Sequence, residues 1–404
     1  RTTVAANSWL HALFGEPPTR LCIRPAMQLR QCHMSSIQPR HHDHIQRQLG
    51  ELLSPIDASL NPMSTPIIEL HDVSKRFVKP LDTAARLANM LGARQREEVV
   101  HAVDNVSFHV MPGEVVGLVG ESGCGKSTLG RVVAGVHEAS GGEMCFEGQA
   151  LSTMTAEQRQ AANLAVQMIF QDPMSSLNPR MRVLDIVGEA PRVHGMVRAD
   201  EVQDYVAQTL LRVGLDPSYS TRYPHQFSGG QRARIGIARA LAVQPRFLVC
   251  DESVAALDVS IQAQVLNLFM DLRKDLNLTY LFISHDLGVV RHISDRVVIM
   301  YLGRVVESAP AAQIFSAPRH PYTQALLANV PSIRNRHQRF APLKGEIPSP
   351  LHPPSGCHFH PRCPHAGPRC QSERPSLVET DTGHHSACHL DLGGTGAETR
   401  PRTL

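Results

Sequence analysis

A short apolar strand followed at once by a glycine-rich loop constrains this chain more than any other feature. The stretch "EVVGLVGESGCGKST" joins a run of strand length, residues 114–120, to the pattern G-x-x-x-x-G-K-[ST] and then to residues with helical spacing. A loop of this type between a buried strand and a helix presents several backbone N–H groups to one concave space, at the positive end of the helix dipole. The sequence therefore predicts a binding site for nucleotide phosphates.

Each part of this loop has an expected role. Backbone N–H groups from Ser122 to Ser127 are expected to surround a β-phosphate, and Gly123 and Gly125 allow the backbone to approach it. Lys126 is expected to bridge the β- and γ-phosphates, and the Ser127 hydroxyl to bind Mg²⁺. The predicted nucleotide-binding residues of the loop are Gly120, Glu121, Ser122, Gly123, Cys124, Gly125, Lys126, Ser127 and Thr128.

A second apolar run, "FLVCDE", ends in two carboxylates, Asp251 and Glu252. Nucleotides bind at the carboxyl ends of the strands in open parallel sheets, so both side chains are expected at the phosphate site. We expect Asp251 to hold Mg²⁺ through a water molecule and Glu252 to polarise the water that attacks the γ-phosphate. The alternative, an acidic pair that only caps a helix, is disfavoured by the phosphate loop upstream.

Strand-like and helix-like runs alternate over residues 67–331. Four apolar runs are interpreted as buried parallel strands: 114–120, 246–251, 279–284 and 296–301. This alternation predicts an α/β fold, a mostly parallel sheet with flanking helices. A net charge of +3 and an aromatic content of 5% indicate no nucleic-acid partner. No run reaches the ~18 apolar residues that a membrane span requires.

Composition divides the chain into three segments. Residues 1–62 mix Arg, His and Gln without a period, and we interpret them as a disordered tail or a mis-assigned start, with a mitochondrial-type presequence as the alternative. Residues 63–331 carry the strands and helices, with a surface insertion of helical spacing at 81–100. Residues 332–404 are rich in Pro, Cys and His and too poor in apolar residues to fold on their own core.

The stretch "HQFSGGQRARIGIARAL", residues 225–241, contains a second candidate anion site. Ser228, Gly229 and Gly230 precede a predicted helix, so their N–H groups and the hydroxyl are available to an anion. One chain seldom needs two such helix starts for a single nucleotide. Together, these motifs resemble the nucleotide-binding subunits of ABC transporters over residues 65–390, where Ser-Gly-Gly-Gln contacts the γ-phosphate held by the partner subunit.

The resemblance implies roles for further residues. Gln171 in "IFQDP" matches the glutamine that senses Mg²⁺ and contacts the membrane partner, and His285 in "ISHDL" matches the histidine at the γ-phosphate. Asp258 in "AALD" matches the loop that crosses the dimer interface, and Phe77 matches the aromatic residue that stacks on adenine. The implied signature set is Ser228, Gly229, Gly230 and Gln231.

The implied fold is a P-loop NTPase core of ABC type with an antiparallel β subdomain and a helical signature subdomain. The implied activity is ATP hydrolysis, with Glu252, His285 and Gln171 catalytic and Mg²⁺ held by Ser127, Gln171 and Asp251. The implied partners are a second ATPase subunit (a copy or a paralogue), two transmembrane permeases and, indirectly, an extracytoplasmic solute-binding protein. The implied location of the chain is peripheral, at the cytoplasmic face of the cell (inner) membrane. A soluble ABC ATPase acting on ribosomes or DNA is the alternative from another class, disfavoured by the single set of motifs.

Two stretches near the C-terminus narrow the resemblance to one subfamily of transporter ATPases. "RHPYTQALLANVPS", residues 319–332, and "GEIPSPLHPPSGCHFHPRCPHA", residues 345–366, are similar to the ATP-binding subunits of oligopeptide and dipeptide uptake systems. Importers of nickel and glutathione share much of this pattern. The resemblance therefore implies an importer of peptides, with nickel, glutathione or another small solute as the alternative.

Four cysteines follow the spacing C-x₅-C-x₆-C-x₁₇-C: Cys357, Cys363, Cys370 and Cys388. In a cytosolic protein, clustered thiols bind metal more often than they form disulfides. Four thiolates suit Zn²⁺ or an iron–sulfur cluster, and His358, His360 and His385 are alternative ligands. From the residues alone, three interpretations stay open: a Zn²⁺ site, an iron–sulfur cluster and free thiols. The family resemblance favours a [4Fe–4S] cluster.

Overall fold

The computed structural model describes residues 65–81, 89, 97–172, 175–329 and 345–390. The tail predicted over residues 1–62 lies outside this part of the chain, as do most of the insertion and the predicted boundary at 331–332. None of the described helices is both long enough and apolar enough to cross a membrane.

The described residues form two sheets. Their strands are β1 (Ile68–Lys79), β2 (Glu98–Val110), β3 (Val115–Val119), β4 (Gly141–Phe146), β5 (Gln149–Ala150), β6 (Val166–Ile169), β7 (Phe247–Asp251), β8 (Thr279–Ile283), β9 (Arg296–Tyr301), β10 (Arg304–Pro310), β11 (Val378–Asp381) and β12 (His384–Ser386). The larger sheet has the order β11-β12-β10-β9-β3-β8-β7-β6, and its strands from β9 to β6 are parallel. The four runs predicted as parallel strands are β3, β7, β8 and β9, which confirms the α/β prediction.

The smaller sheet, in the order β2-β1-β4-β5, is antiparallel and shares one apolar core with β3. Strands β1 and β2 pair as far as Lys79 and Glu98. The predicted insertion at 81–100 is therefore three residues too long, because residues 98–100 belong to β2 and continue the pairing.

Helices connect the strands of the larger sheet. They are α1 (Lys126–Val133), α2 (Ala156–Ala165), α3 (Val183–Val193), α4 (Val202–Arg212), α5 (Gly229–Leu241), α6 (Val259–Leu276), α7 (Leu287–Ile293), α8 (Ala311–Ser316), α9 (Pro321–Ala328) and α10 (Pro368–Ser372). Helices α1 and α6 follow β3 and β7, as predicted. The apolar faces of α3, α4 and α5 meet α6 in one buried cluster around Leu210, Ile235 and Phe269, which forms the helical subdomain.

The Cys-rich segment is continuous with the larger sheet. Strand β12 pairs with β10, with Ser386 opposite Glu307, and β11 pairs with β12. The ring of Phe359 lies 5.2 Å from that of Tyr301 and 5.3 Å from that of Tyr322, between centroids, and is buried. A segment too poor in apolar residues for a core of its own thus completes the core beside the larger sheet.

Candidate nucleotide-binding site

The phosphate loop leaves the carboxyl end of β3 at Gly120 and enters helix α1 at Lys126. Gly123 and Gly125 have φ angles of 81° and 103°, which favour glycine. A Cβ atom on Gly125 would lie 2.0 Å from the carbonyl oxygen of Ala102 in β2. Glycine at this position is therefore required for the loop to close against β2.

The Lys126 side chain is buried and bound to the loop itself. Its Nζ donates hydrogen bonds to the carbonyl oxygens of Gly120 at 2.8 Å and of Glu121 at 3.0 Å. This ammonium lies at the first turn of α1, where the helix dipole also favours an anion. The same cation can turn from these carbonyl oxygens to the phosphate oxygens of a nucleotide.

Ser127 and Asp251 meet beside the loop. The Ser127 hydroxyl donates a hydrogen bond of 2.8 Å to Oδ1 of Asp251, whose side chain is buried. Burial raises the pKa of the Asp251 carboxyl, and this outweighs the lowering by the Ser127 hydrogen bond and by the charges of Arg131 and Lys126. A divalent cation near these two oxygens would lower that pKa and keep the carboxylate ionised. The pair therefore fits Mg²⁺.

The predicted catalytic residues Gln171, Glu252 and His285 converge on one carboxylate. Gln171 Nε2 donates a hydrogen bond of 2.8 Å to Glu252 Oε2, and His285 Nδ1 lies 3.3 Å from Glu252 Oε1. Parallel pairing of β7 with both neighbours brings them together, because Ile169 of β6 lies opposite Cys250 and Ile283 of β8 lies opposite Asp251. Glu252 has a φ of 44°, a strained left-handed conformation that concentrates at functional sites. This carboxylate is held where it can orient a water molecule, whereas the role of Gln171 as a Mg²⁺ ligand stays a prediction.

A cavity of about 410 Å³ is lined by the phosphate loop, Glu252 and the β1–β2 hairpin. Phe77 lines this cavity, and its ring is partly exposed. Strand pairing places Phe77 opposite Val100, which also lines the cavity. The ring packs edge-on against His137, with 5.6 Å between centroids, and its centre lies 5.2 Å from Lys75 Nζ, so a nucleotide base would stack on the part that stays exposed. Pro350, from the C-terminal segment, lines the same cavity, and its carbonyl oxygen accepts a hydrogen bond of 3.2 Å from the His101 N–H. No sequence motif indicated Pro350, because its position depends on packing against β2.

The predicted signature residues at the start of α5 lie apart from this cavity. Among the described residues, Ser228, Gly229, Gly230 and Gln231 do not line it. The Gln231 N–H donates a hydrogen bond of 3.4 Å to Ser228 Oγ, and the Ser228 N–H donates one of 3.0 Å to Gln231 Oε1. Ser228, Gly229 and Asp258 are exposed. Their positions suit groups that bind a nucleotide held by another subunit.

Comparison with known proteins identifies the family. A model of the ABC transporter family matches residues 103–255, and one of the oligopeptide/dipeptide transporter C-terminal region matches residues 306–370. The oligopeptide transport ATP-binding protein AppF of Bacillus subtilis is 50% identical over 330 residues, 80% of this chain and 97% of that protein. OppF of Salmonella typhimurium is 47% identical over 298 residues, 73% of this chain and 89% of that protein. The chain belongs to the ABC transporter ATP-binding subunits.

Solved ABC cassettes share the fold of this ABC subunit. A cassette of the cbiONQ transporter complex from Clostridium perfringens is 23% identical with a TM-score of 0.51, and the match covers 63% of this chain and 92% of that chain. A dimeric cassette bound to ADP and phosphate is 24% identical with a TM-score of 0.51, over 60% and 98% of the two chains. The predicted ABC-type core is confirmed, and so is the prediction of a transport-coupled ATPase.

The four clustered cysteines of the ABC subunit lie close enough for their charges to interact. Burial, together with negative charge on the other three thiols, raises the pKa of the Cys388 thiol to about 11. Burial also raises the pKa of Cys357 and of Cys363. In the part of the chain that the structure describes, no group of three or more His, Cys, Asp or Glu side chains is arranged to hold a metal ion. The predicted donor set is thus present in one neighbourhood, without the preformed geometry of a metal site.

The histidines predicted as alternative ligands are engaged elsewhere. His358 Nδ1 lies 3.2 Å from the carbonyl oxygen of Leu302, and His360 Nδ1 lies 2.9 Å from that of Cys357. His385 belongs to β12 and lies opposite Ser308 of β10. Backbone contacts and strand pairing account for the positions of all three.

Proposed function

We propose that this ABC subunit hydrolyses ATP to power the uptake of di- and oligopeptides by a membrane importer. Relatives at 47–50% identity are named oligopeptide or di/tripeptide transport ATP-binding proteins, among them DppF of Pseudomonas aeruginosa, 47% identical over 291 residues, 72% of this chain and 90% of that protein. The observation that carries the hydrolytic role is the convergence of Gln171 and His285 on Glu252 beside the phosphate loop. The C-terminal family match supports the peptide class.

The chemical step follows from these positions. The loop binds the β- and γ-phosphates while Lys126 exchanges its two carbonyl partners for phosphate oxygens. Ser127 and Asp251 would hold Mg²⁺, which neutralises charge on the same phosphates. Glu252 accepts a hydrogen bond from the attacking water, directs its lone pair at the γ-phosphorus and takes up the proton that the water loses. The bond between the γ-phosphorus and the bridging oxygen breaks, giving ADP and phosphate, while Gln171 and His285 keep the carboxylate oriented.

The proposed assembly is a head-to-tail dimer of ATPase subunits. The start of α5 at Ser228 is exposed and outside the chain's own cavity, so the Ser228 hydroxyl and the N–H of exposed Gly229 are suited to the γ-phosphate bound by the partner. Asp258, also exposed, would contact the partner across the interface. We propose that this dimer, formed with a copy or a paralogue, binds two permeases at the cytoplasmic face of the membrane. An extracytoplasmic solute-binding protein would deliver the peptide.

Uptake by the reconstituted importer tests the solute class. Proteoliposomes with the complete complex would be offered a labelled tripeptide, Ni²⁺ and labelled glutathione in parallel, and the complex with Glu252→Gln would give the background. We expect ATP-dependent accumulation of the tripeptide with ordinary α-peptide bonds, and of neither Ni²⁺ nor glutathione. Accumulation of Ni²⁺ or glutathione without the tripeptide would replace the peptide assignment with that solute.

A separate proposal concerns the thiols: Cys357, Cys363, Cys370 and Cys388 bind a [4Fe–4S] cluster. Four thiols in one neighbourhood support it, because four thiolates are the ligand set that such a cluster requires.

Metal analysis of protein purified without oxygen tests this proposal. Cys363→Ser would be compared with Cys145→Ser, which removes a thiol of β4 instead. We expect about four iron and four sulfide per chain, lost only in Cys363→Ser. About one zinc per chain would show a structural zinc site instead of the cluster. Absence of iron, sulfide and zinc would contradict both the cluster and the zinc site.

A further inference from the structure

The C-terminal segment holds the phosphate loop from outside. Arg362 ends the short 3₁₀ turn His360–Arg362 and makes two hydrogen bonds to the carboxylate of Glu121, at 2.6 and 3.0 Å. The Arg362 side chain is 4% exposed and that of Glu121 is 23% exposed. A two-pronged guanidinium–carboxylate pair that is largely shielded from water is among the stronger polar contacts in proteins. This contact therefore restrains the second residue of the phosphate loop.

Four partners hold Glu121. Its carboxylate binds Arg362, and its N–H donates a hydrogen bond of 2.9 Å to Tyr322 Oη. Its carbonyl oxygen accepts hydrogen bonds of 3.0 Å from Lys126 Nζ and of 3.2 Å from the Cys124 N–H. When a nucleotide binds, Lys126 turns to the phosphates and its contact is lost. The contacts with Arg362, Tyr322 and Cys124 then remain, and that with Arg362 is the one that comes from the C-terminal segment through a charged side chain.

The turn that carries Arg362 is itself anchored. Phe359, at the start of this turn, packs against Tyr301 and Tyr322, and the Arg362 guanidinium lies 5.9 Å from the centre of the Tyr301 ring. Cys357 and Cys363 flank the turn on its two sides. The cysteine region thus frames the turn that contacts the phosphate loop.

Arg362 also acts through its charge. The Glu121 carboxylate belongs to the loop that receives the triphosphate, so an unpaired negative charge there would repel the ligand. The guanidinium neutralises that charge at a site where solvent screening is weak. Removal of Arg362 would therefore both loosen the loop and expose the phosphates to a like charge.

We propose that Arg362 is a positioning residue for ATP, which holds Glu121 and the phosphate loop and cancels a repulsive charge. Arg362 does not itself contact the nucleotide and acts through Glu121. This inference rests on the ATP-binding role described above and not on the identity of the solute. A negative result for peptide uptake would therefore leave it intact.

Equilibrium binding of a fluorescent ATP analogue with Mg²⁺ to the full-length chain tests the proposal. The variants are Arg362→Gln, Arg362→Lys and the double variant Glu121→Gln, Arg362→Gln. The matched control is Arg369→Gln, because Arg369 pairs with Glu373 in the same segment at exposures of 66% and 53%. We expect Arg362→Gln to weaken binding roughly 10- to 100-fold, as for loss of a charge-assisted hydrogen bond, and Arg369→Gln to bind as the unmodified chain does.

The two remaining variants separate positioning from simple damage to the fold. Arg362→Lys keeps the charge and loses the two-pronged contact, so its affinity should lie between those of the unmodified chain and Arg362→Gln. The double variant should bind more tightly than Arg362→Gln because the repulsive carboxylate is gone. A merely structural role would lower the fraction of protein that binds, at unchanged affinity, and would give no such recovery.

Three results would overturn the proposal. The first is binding by Arg362→Gln within about twofold of the unmodified chain, since that difference is smaller than ~0.5 kcal/mol. The second is a double variant no tighter than Arg362→Gln. If thermal unfolding shows no cooperative transition for Arg362→Gln, that variant is not folded and Arg362→Lys is used in its place. The third overturning result is then an affinity of Arg362→Lys equal to that of the unmodified chain.

Discussion

The amide of Gln171 donates a hydrogen bond of 2.8 Å to the carboxylate of Glu252. Gln171 follows β6 and leads into the helical subdomain, whereas Glu252 follows β7 of the larger sheet. One hydrogen bond therefore joins the entry to the helical subdomain with the proposed general base. A movement of that subdomain relative to the sheet would break one of the two contacts that orient the carboxylate.

Loss of the Gln171 amide should lower turnover more than nucleotide binding. In Gln171→Ala, Glu252 loses one of its two orienting partners and keeps His285, so we expect kcat for ATP to fall about 10-fold, less than the roughly 10²–10⁴-fold expected for loss of the base itself. Steady-state hydrolysis by the assembled complex measures this. Gln167→Ala is the matched control, because that amide binds only the backbone carbonyl oxygens of Asn163 and Leu164. An equal loss in both variants would contradict a specific role.

Removal of the Phe77 ring should weaken nucleotide binding. Stacking of an aromatic ring contributes ~0.5–1.5 kcal/mol, so Phe77→Ala should raise the dissociation constant for ATP several-fold while Phe77→Tyr leaves it near its original value. The control is Val78→Ala, an exposed neighbour on β1. Fluorescence titration decides the outcome, and an unchanged dissociation constant in Phe77→Ala would remove Phe77 from the base site.

Two glycines of helix α5 should respond in opposite directions to alanine. A Cβ atom on Gly230 would lie 2.4 Å from Cγ2 of Ile261 in α6, whereas one on Gly236 meets nothing within 4 Å. We expect Gly230→Ala to lower the free energy of unfolding by ~1–3 kcal/mol through overpacking. Gly236→Ala should raise it by up to ~1 kcal/mol, because alanine favours helix. Urea denaturation measures both, and equal effects would show that the α5–α6 contact is not the cause.

Buried His320 should make stability fall in mild acid. Burial lowers the pKa of His320 to about 4, and the charge of Glu307 offsets this only in part. The unfolded chain, with a histidine pKa of about 6.5, binds more protons below that pH, so the free energy of unfolding decreases from pH 6.5 towards pH 4 and is unaffected above. The full effect is on the order of 3 kcal/mol.

Urea denaturation at pH 7, 6 and 5 isolates this dependence. His320→Asn can still cap α9, where Nδ1 of His320 accepts a hydrogen bond from the Tyr322 N–H. It should reduce the pH dependence by the share of His320, while His358, whose pKa burial also lowers to about 4, contributes over the same range in both proteins. His352→Asn on the surface is the control. Glu307 stays ionised over this range because hydrogen bonds, including one from His384, lower its pKa despite burial. The same slope in His320→Asn as in the unmodified chain would assign the effect to other groups.

Residues within one motif could be predicted from the sequence, because their backbone chemistry is local. The phosphate loop, the pair Asp251–Glu252 and the helix start at Ser228 are examples, since strand, glycine turn and helix follow one another along the chain. Gln171 and His285 came from the resemblance, and only the register of the parallel strands showed that they meet at Glu252. Strand pairing also corrected the end of the insertion at 81–100.

Contacts between distant segments had no local signal. Arg362 and Glu121 are separated by 241 positions, and no periodicity or composition links them. The place of Pro350 in the nucleotide cavity depends likewise on how the C-terminal segment packs on β2. Four cysteines predicted a metal site by donor type alone, and the spacing contained no information on the distances between the sulfur atoms.

The most direct test of the central claim is ATP hydrolysis by the assembled complex with Glu252→Gln, compared with Glu157→Gln at an exposed position of α2. We expect a loss of about 10²–10⁴-fold in turnover for Glu252→Gln with ATP binding retained, because a positioned base has been removed. Glu157→Gln should hydrolyse ATP as the unmodified complex does. Near-normal hydrolysis by Glu252→Gln would contradict the assignment of Glu252 and the mechanism built on it.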